Sequence, residues 1–213
     1  VVLASVGCAA MGQVVQTPKG YDFHSAYHTG QQLNYQVSMA VRDVLPNPDQ
    51  NVGLMMSESL KVLKVKDGIT TFLSSSGSLK SVKQSPIGAP QKTRKFSVDR
   101  RNRSVGSGLG SFALQVFPDH PVKMGSSWTS LATMPVGSSS GLAVQATYRL
   151  DSVKEDHGKR VFSIAATFKG IATGDGAVLV NAANGEVELL VTNWSLTVKQ
   201  EQKRVQIIVK RVP

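Results

Sequence analysis

His24 and His28 stand four residues apart, and Asp22 precedes them. On a helix or on a strand the two imidazoles would share a face, which is what a metal ion needs from a pair of ligands. No third ligand lies nearby and the glutamate of a zinc-protease helix is missing, so the pair reads as two exposed loop histidines. Asp119-His120 sits in a serine-rich chain, but no strained Gly-x-Ser-x-Gly elbow is read that would pick out one serine as a nucleophile. Gly106-Ser-Gly-Leu-Gly lacks the Lys-Ser or Lys-Thr that completes a phosphate loop. Aspartates and glutamates number 14 and are scattered, so no carboxylate pair of the glycosidase kind is suggested. No catalytic residue, metal ligand or cofactor site is assigned, and the expectation is a protein that is not an enzyme.

The elements around these residues read as strands. Leu33, Tyr35, Val37, Met39 and Val41 alternate with Asn34, Gln36, Ser38 and Ala40. A period of two is the signature of a half-buried strand. Met55–Lys66 and Ile69–Lys83 flank Asp67-Gly68, a two-residue hairpin turn. Arg94–Asp99 and Arg103–Val105 form a short hairpin, and 84–95 is an exposed loop. Leu109, Phe112, Ala113, Val116 and Phe117 have helical spacing before Pro118, which predicts one short helix around 108–117. Leu142–Lys154, Arg160–Lys169, Ala177–Val180, Glu186–Lys199 and Arg204–Val212 continue as strands. Gly170–Gly176 reads as a turn, and Asn184-Gly185 as a second hairpin signal. Trp128 and Trp194 are expected in or near the core rather than as sugar platforms.

The chain of 213 residues carries a formal charge of +10. A basic surface suits anionic partners, or simply keeps the protein soluble. The basic clusters lack the interleaved aromatics that stack on bases, so no nucleic acid is expected. Val1–Gly12 is apolar and uncharged. It reads as the remnant of a signal peptide, with cleavage before Gln13, or as a lipobox ending at Cys8, which would then be lipidated. Ser5 stands where a lipobox usually has leucine. An ordinary apolar strand is the third reading.

The two flanks of Pro118–Trp128 resemble each other. Gly30-Gln-Gln-Leu faces Gly125-Ser-Ser-Trp, the Asp67-Gly68 hairpin faces the one at Asp156-His-Gly, and Phe96-Ser-Val-Asp faces Val178-Leu-Val-Asn. The expected fold class is all-β, mainly antiparallel, with two similar meander halves in a curved sheet, barrel-like or sandwich arrangement. The expected organisation is a segment 1–12, an N-terminal extension 13–29, and one domain 30–213 with halves 30–117 and 118–213. Pro121, Val122, Gly125 and Trp128 form the central motif. At these residues the chain resembles exported bacterial proteins of unknown function, which carry Pro-Val, two residues, Gly, two residues and Trp between two β-rich halves. Such proteins usually have an acidic residue after the glycine, where this chain has Ser126. The resemblance spans about 30–209 and implies export, a β fold and no known reaction. In that motif the glycine would permit a tight approach and the tryptophan would plug a core. Together these features lead to the expectation of an extracytoplasmic binding or carrier module for an apolar (lipid) or anionic envelope ligand, or else a structural or interaction component of the envelope, with a hydrolase as the last alternative. Oligomeric state is left open.

Overall fold

The computed structural model describes residues 14–43, 52–77, 79–81, 86–87, 93–106, 117–134, 142–156, 158–170, 172–198 and 201–213. Its strands are β1 (Val15–Thr17), β2 (Gly20–Asp22), β3 (Gln32–Asp43), β4 (Val52–Lys66), β5 (Ile69–Ser76), β6 (Leu79–Ser81), β7 (Pro86–Ile87), β8 (Thr93–Asp99), β9 (Ser104–Val105), β10 (Ser127–Met134), β11 (Leu142–Asp156), β12 (Lys159–Lys169), β13 (Ala172–Asn181), β14 (Val187–Val198) and β15 (Glu201–Val212). Among the described residues there is no helix. The segment predicted as helical, 108–117, lies outside the described residues except for Phe117, which is buried and in no regular element.

β1 and β2 make a small hairpin, and all other strands join one antiparallel sheet of 13 strands. Its main path runs β10-β11-β12-β13-β14-β15-β3-β4-β5-β8-β9, with β6 and β7 branching from β4. The strands at the two ends of the path, β10 and β9, do not pair, so this is a curved sheet and not a closed barrel. β15 lies between β14 and β3, so a strand near residue 210 pairs with one near residue 35. The alternation expected in β3 is present: Leu33, Tyr35 and Val37 are buried, and Asn34 and Gln36 are not. Buried rows cross the strands on the same face, for example Trp128, Tyr148 and Ala166. No second sheet of similar size covers that face among the described residues, so it must curl onto itself to exclude water.

The two halves share detailed bonding. Gly30 N–H donates to the Val62 carbonyl at 2.9 Å, and Val62 N–H donates back to Gln31 at 2.9 Å. Gly125 N–H donates to Leu150 at 2.7 Å, and Leu150 N–H donates to Ser126 at 3.1 Å. A β-bulge follows in each case, between Val62 and Lys64 and between Leu150 and Ser152. By register, Leu33 corresponds to Trp128, Phe72 to Ile164 and Val98 to Val180. Asp99 and Asn181 then open similar turns, their side chains accepting from the N–H of Arg101 and Ala183.

Two loop predictions need correcting. Within 84–95, expected as an exposed loop, β7 spans Pro86–Ile87 and β8 begins at Thr93. Gly170–Gly176 is not a turn, because β13 already runs from Ala172. Glycines usually weaken a strand, but Gly174 pairs with Phe168 on one side and Trp194 on the other. Those two rings stack across it, 4.2 Å between centroids and 28° between planes. A side chain at Gly174 would collide with the Asn193 carbonyl. The glycine is therefore a packing requirement inside a strand.

Candidate functional site

The inner face of the sheet has two unlike ends. At the end nearest the β4–β5 and β11–β12 turns it is plugged. Residues 14–31 cross it as a strap, held by Val14 N–H to Ala182, a reciprocal pair between Tyr21 and Val122, and Ser25 N–H to Arg100. Arg101 ties the strap further, donating to Asp22 Oδ1 at 2.7 Å and to the Phe23 carbonyl. Phe23 has no exposed surface and its ring meets those of Phe117, Trp128 and Phe162. Tyr27 meets Phe72 edge-on at 4.9 Å. Toward the other end, Met39, Met56 and Val205 on the same face are only partly buried, as is Leu190 nearer the middle. The floor between them is made by small or polar positions, Gly176 and Thr192, and by Trp194, whose indole N–H donates to the Thr192 hydroxyl at 2.9 Å. Methionines are adaptable linings for apolar ligands of irregular shape.

Between the plug and the partly exposed end lies a buried polar nest. The turn after β13 fixes Glu186: Asn184 Oδ1 accepts from its N–H at 3.0 Å, and its carbonyl accepts from Asn181. The Glu186 carboxylate accepts from Gln31 of the strap and from Arg211 of β15. Glu188 accepts from Asn181 at 2.9 Å, and Glu58 from Ser74 at 2.9 Å. Tyr35 pairs in register with both Arg211 and Glu58, yet its hydroxyl is buried without a hydrogen-bond partner. Burial pushes the phenols of Tyr35 and Tyr27 well above their ordinary range. The nest anchors the strap and β15 to the sheet. Its carboxylates are held by amide, hydroxyl and guanidinium donors, which is how buried charge is tolerated.

The residues singled out by sequence fall in different places. Val122 and Trp128 are buried in the plug and Pro121 is half-buried. Gly125 has φ +80°, and a Cβ added there would meet nothing within 4 Å. Its role is therefore a backbone conformation rather than the close approach expected for it. His24 faces Asp22 at 3.4 Å, and burial holds its imidazole below the usual histidine range. His28 is exposed. Asp119 pairs with Arg103 at 2.8 Å rather than serving a triad. Cys8 and the rest of 1–13 lie outside the described residues. Among the described residues no group of three His, Cys, Asp or Glu could hold a metal ion. Gly137-Ser-Ser-Ser-Gly141, which sequence reasoning missed, does have nucleophile-elbow spacing. It lies outside the described residues, between β10 and β11. Sequence reasoning also missed the strap and the Glu186 nest. Two signals point to them, the aromatic spacing of Tyr21, Phe23 and Tyr27 and the acidic residues on either side of Val187.

The chain matches no family model and no curated protein.

Proposed function

We propose that the chain is an exported, non-catalytic binding or carrier module for an apolar envelope ligand, seated toward the loop end of the inner face. One observation carries the reading: the inner face is sealed by aromatic rings at one end, while Met39, Met56 and Val205 remain partly exposed toward the other. A concave apolar surface with few polar groups is where a small apolar molecule gains most from leaving water. Export rests on residues 1–12 and on the Pro121–Trp128 resemblance; the +10 charge suits an anionic envelope surface.

Native mass spectrometry of the protein purified from its own envelope tests this. The expected result is a mass excess released on denaturation and identified as lipid or another apolar molecule. The double variant Met39→Asp/Met56→Asp is expected to lose it at least about tenfold in occupancy, since each buried charge opposes an apolar ligand. A homogeneous unliganded mass overturns the carrier reading. An interaction component of the envelope is the second reading. It is favoured by Leu131, 76% exposed on β10, a strand at the end of the sheet path whose sequence has no charge. Such a strand is open to pairing with another protein. A complex that Leu131→Lys dissolves would support it.

A further inference from the structure

The β4–β5 hairpin carries a surface that the fold does not need. Of the seven large hydrophobics exposed among the described residues, four cluster here: Leu63, Val65, Ile69 and Val105, each between 37 and 40% exposed. Register brings them close. Lys64, Thr71, Ser97 and Val105 form one row on the outer face, and Lys66, Ile69 and Asp99 form the next. Leu63 is the residue that the bulge leaves unpaired. Val65, between Lys64 and Lys66, points to the opposite face, so the tip is apolar on both sides. Lysines alternate with these apolar groups: Lys61, Lys64 and Lys66 on β4 and Lys95 on β8 are all exposed. Arg100 lies over the turn, where a side chain on Gly68 would come within 3.2 Å of it. The acids do little to neutralise this patch. Asp67 reaches Lys66 only at 3.9 Å with both side chains largely in water, and Asp99 is engaged by Arg103 at 2.6 Å.

The equivalent hairpin of the other half shows that the bare tip is not an architectural requirement. Val153 occupies the position of Val65 and packs against the core. Val161 occupies the position of Ile69 and is buried. The bulge residue is Asp151 instead of Leu63, and it pairs with Arg149 at 2.6 Å. The strap covers this second tip, with Tyr21 edge-on to Phe162 at 5.0 Å; on the first hairpin it meets Phe72 through Tyr27 and bonds Arg100 through Ser25, and Val65 and Ile69 stay exposed.

We infer that the β4–β5 tip is a docking surface for an anionic lipid bilayer. Its apolar side chains enter the interface and its lysines pair with phosphate headgroups. Exposed aliphatic groups gain by entering a hydrocarbon boundary, and each lysine near an anionic membrane adds an attraction. Nucleic acid fits the same charge less well, because the patch offers aliphatic side chains and no aromatic ring for a base to stack on. The inference is independent of the ligand proposed for the inner face.

Co-sedimentation of the full chain with vesicles tests it, using phosphatidylcholine alone and phosphatidylcholine with about 30% phosphatidylglycerol to supply the anionic surface. Binding is expected only to the anionic vesicles. Lys61→Gln/Lys64→Gln/Lys66→Gln should weaken it on the order of fivefold per lysine. Leu63→Ser/Ile69→Ser should weaken it by at least about tenfold. The control Arg149→Gln/Lys154→Gln/Lys159→Gln on the β11–β12 hairpin should bind as the parent does. A dye on Val65→Cys, in a Cys8→Ser background, should shift to the blue on anionic vesicles. Three results would each overturn the inference: no binding to anionic vesicles, equal loss in the control, or an unchanged Leu63→Ser/Ile69→Ser variant. Tighter binding to a single-stranded oligonucleotide through the same lysines would do so as well.

Discussion

The two long hairpins, β4–β5 and β11–β12, start alike and end differently. Both are clamped where Gly30 or Gly125 donates to the strand, both bulge directly after that point, and both bring an apolar residue across from the bulge. Beyond the bulge they part. One tip is covered by the strap and its apolar residues join the core; the other stays bare and lysine-rich. The shared portion is what bends a sheet: a positive-φ glycine, two reciprocal bonds and an extra residue that increases local twist. The unshared portion is free of that duty and can vary with use.

The largest test of this contrast is Phe23→Ala. Phe23 presses on Phe117 and on two rings of the covered side, Trp128 and Phe162, whereas Tyr27 presses on Phe72 of the other. Removing the Phe23 ring is expected to cost about 3–5 kcal/mol. In a Trp194→Phe background it should shift Trp128 emission to the red, while Tyr27→Ala should leave that emission in place. Equal shifts would mean that the two sides are not separately packed. Next come Gly30→Ala and Gly125→Ala. Both positions have φ near +80 to +90° and open space around an added side chain, so only backbone strain is at stake. Each should lose about 1–2 kcal/mol in urea denaturation, and a gap larger than that between the pair would break the equivalence.

The smallest effect separates the halves again. Tyr35 corresponds to Ser130 on β10, which needs no buried phenol. Tyr35→Phe removes a buried hydroxyl that lacks a partner and should stabilise by about 1 kcal/mol. Its raised pKa also sets a direction in alkali. Above about pH 10 the unfolded chain loses the phenolic proton while the folded one keeps it. The stability from this group is therefore whole below that pH and falls as pH rises toward the folded value. The phenylalanine variant should show a shallower decline between about pH 10 and 12 in thermal melts.

Much of the sheet can be read locally. The alternation of Leu33 to Val41, the Asp67-Gly68 turn with both residues at positive φ, and the likeness of Gly30-Gln to Gly125-Ser are all short-range signals. The burial of Trp128 follows from its size and setting. Three features cannot be read this way. The pairing of β15 with β3 joins residues far apart in sequence, and nothing local specifies the partner. The glycines of β13 look like turn residues because their packing reason, the Phe168–Trp194 stack, lies on neighbouring strands. The nest at Glu186 draws on the strap, β14, β15 and the strands around Tyr35 at once, and each of its members alone looks like a surface residue.

The position of β15 has a consequence for how the molecule comes into being. Ten register partners on each side tie it to β14 and to β3. A ribosome must therefore deliver β15 before β3, which already has β4 beside it, can find its second neighbour. Until then the nascent polypeptide holds two incomplete layers with raw edges and a high entropic cost of closure. Closure of the sheet path between β14 and β3 therefore waits on β15, the latest of these strands to emerge.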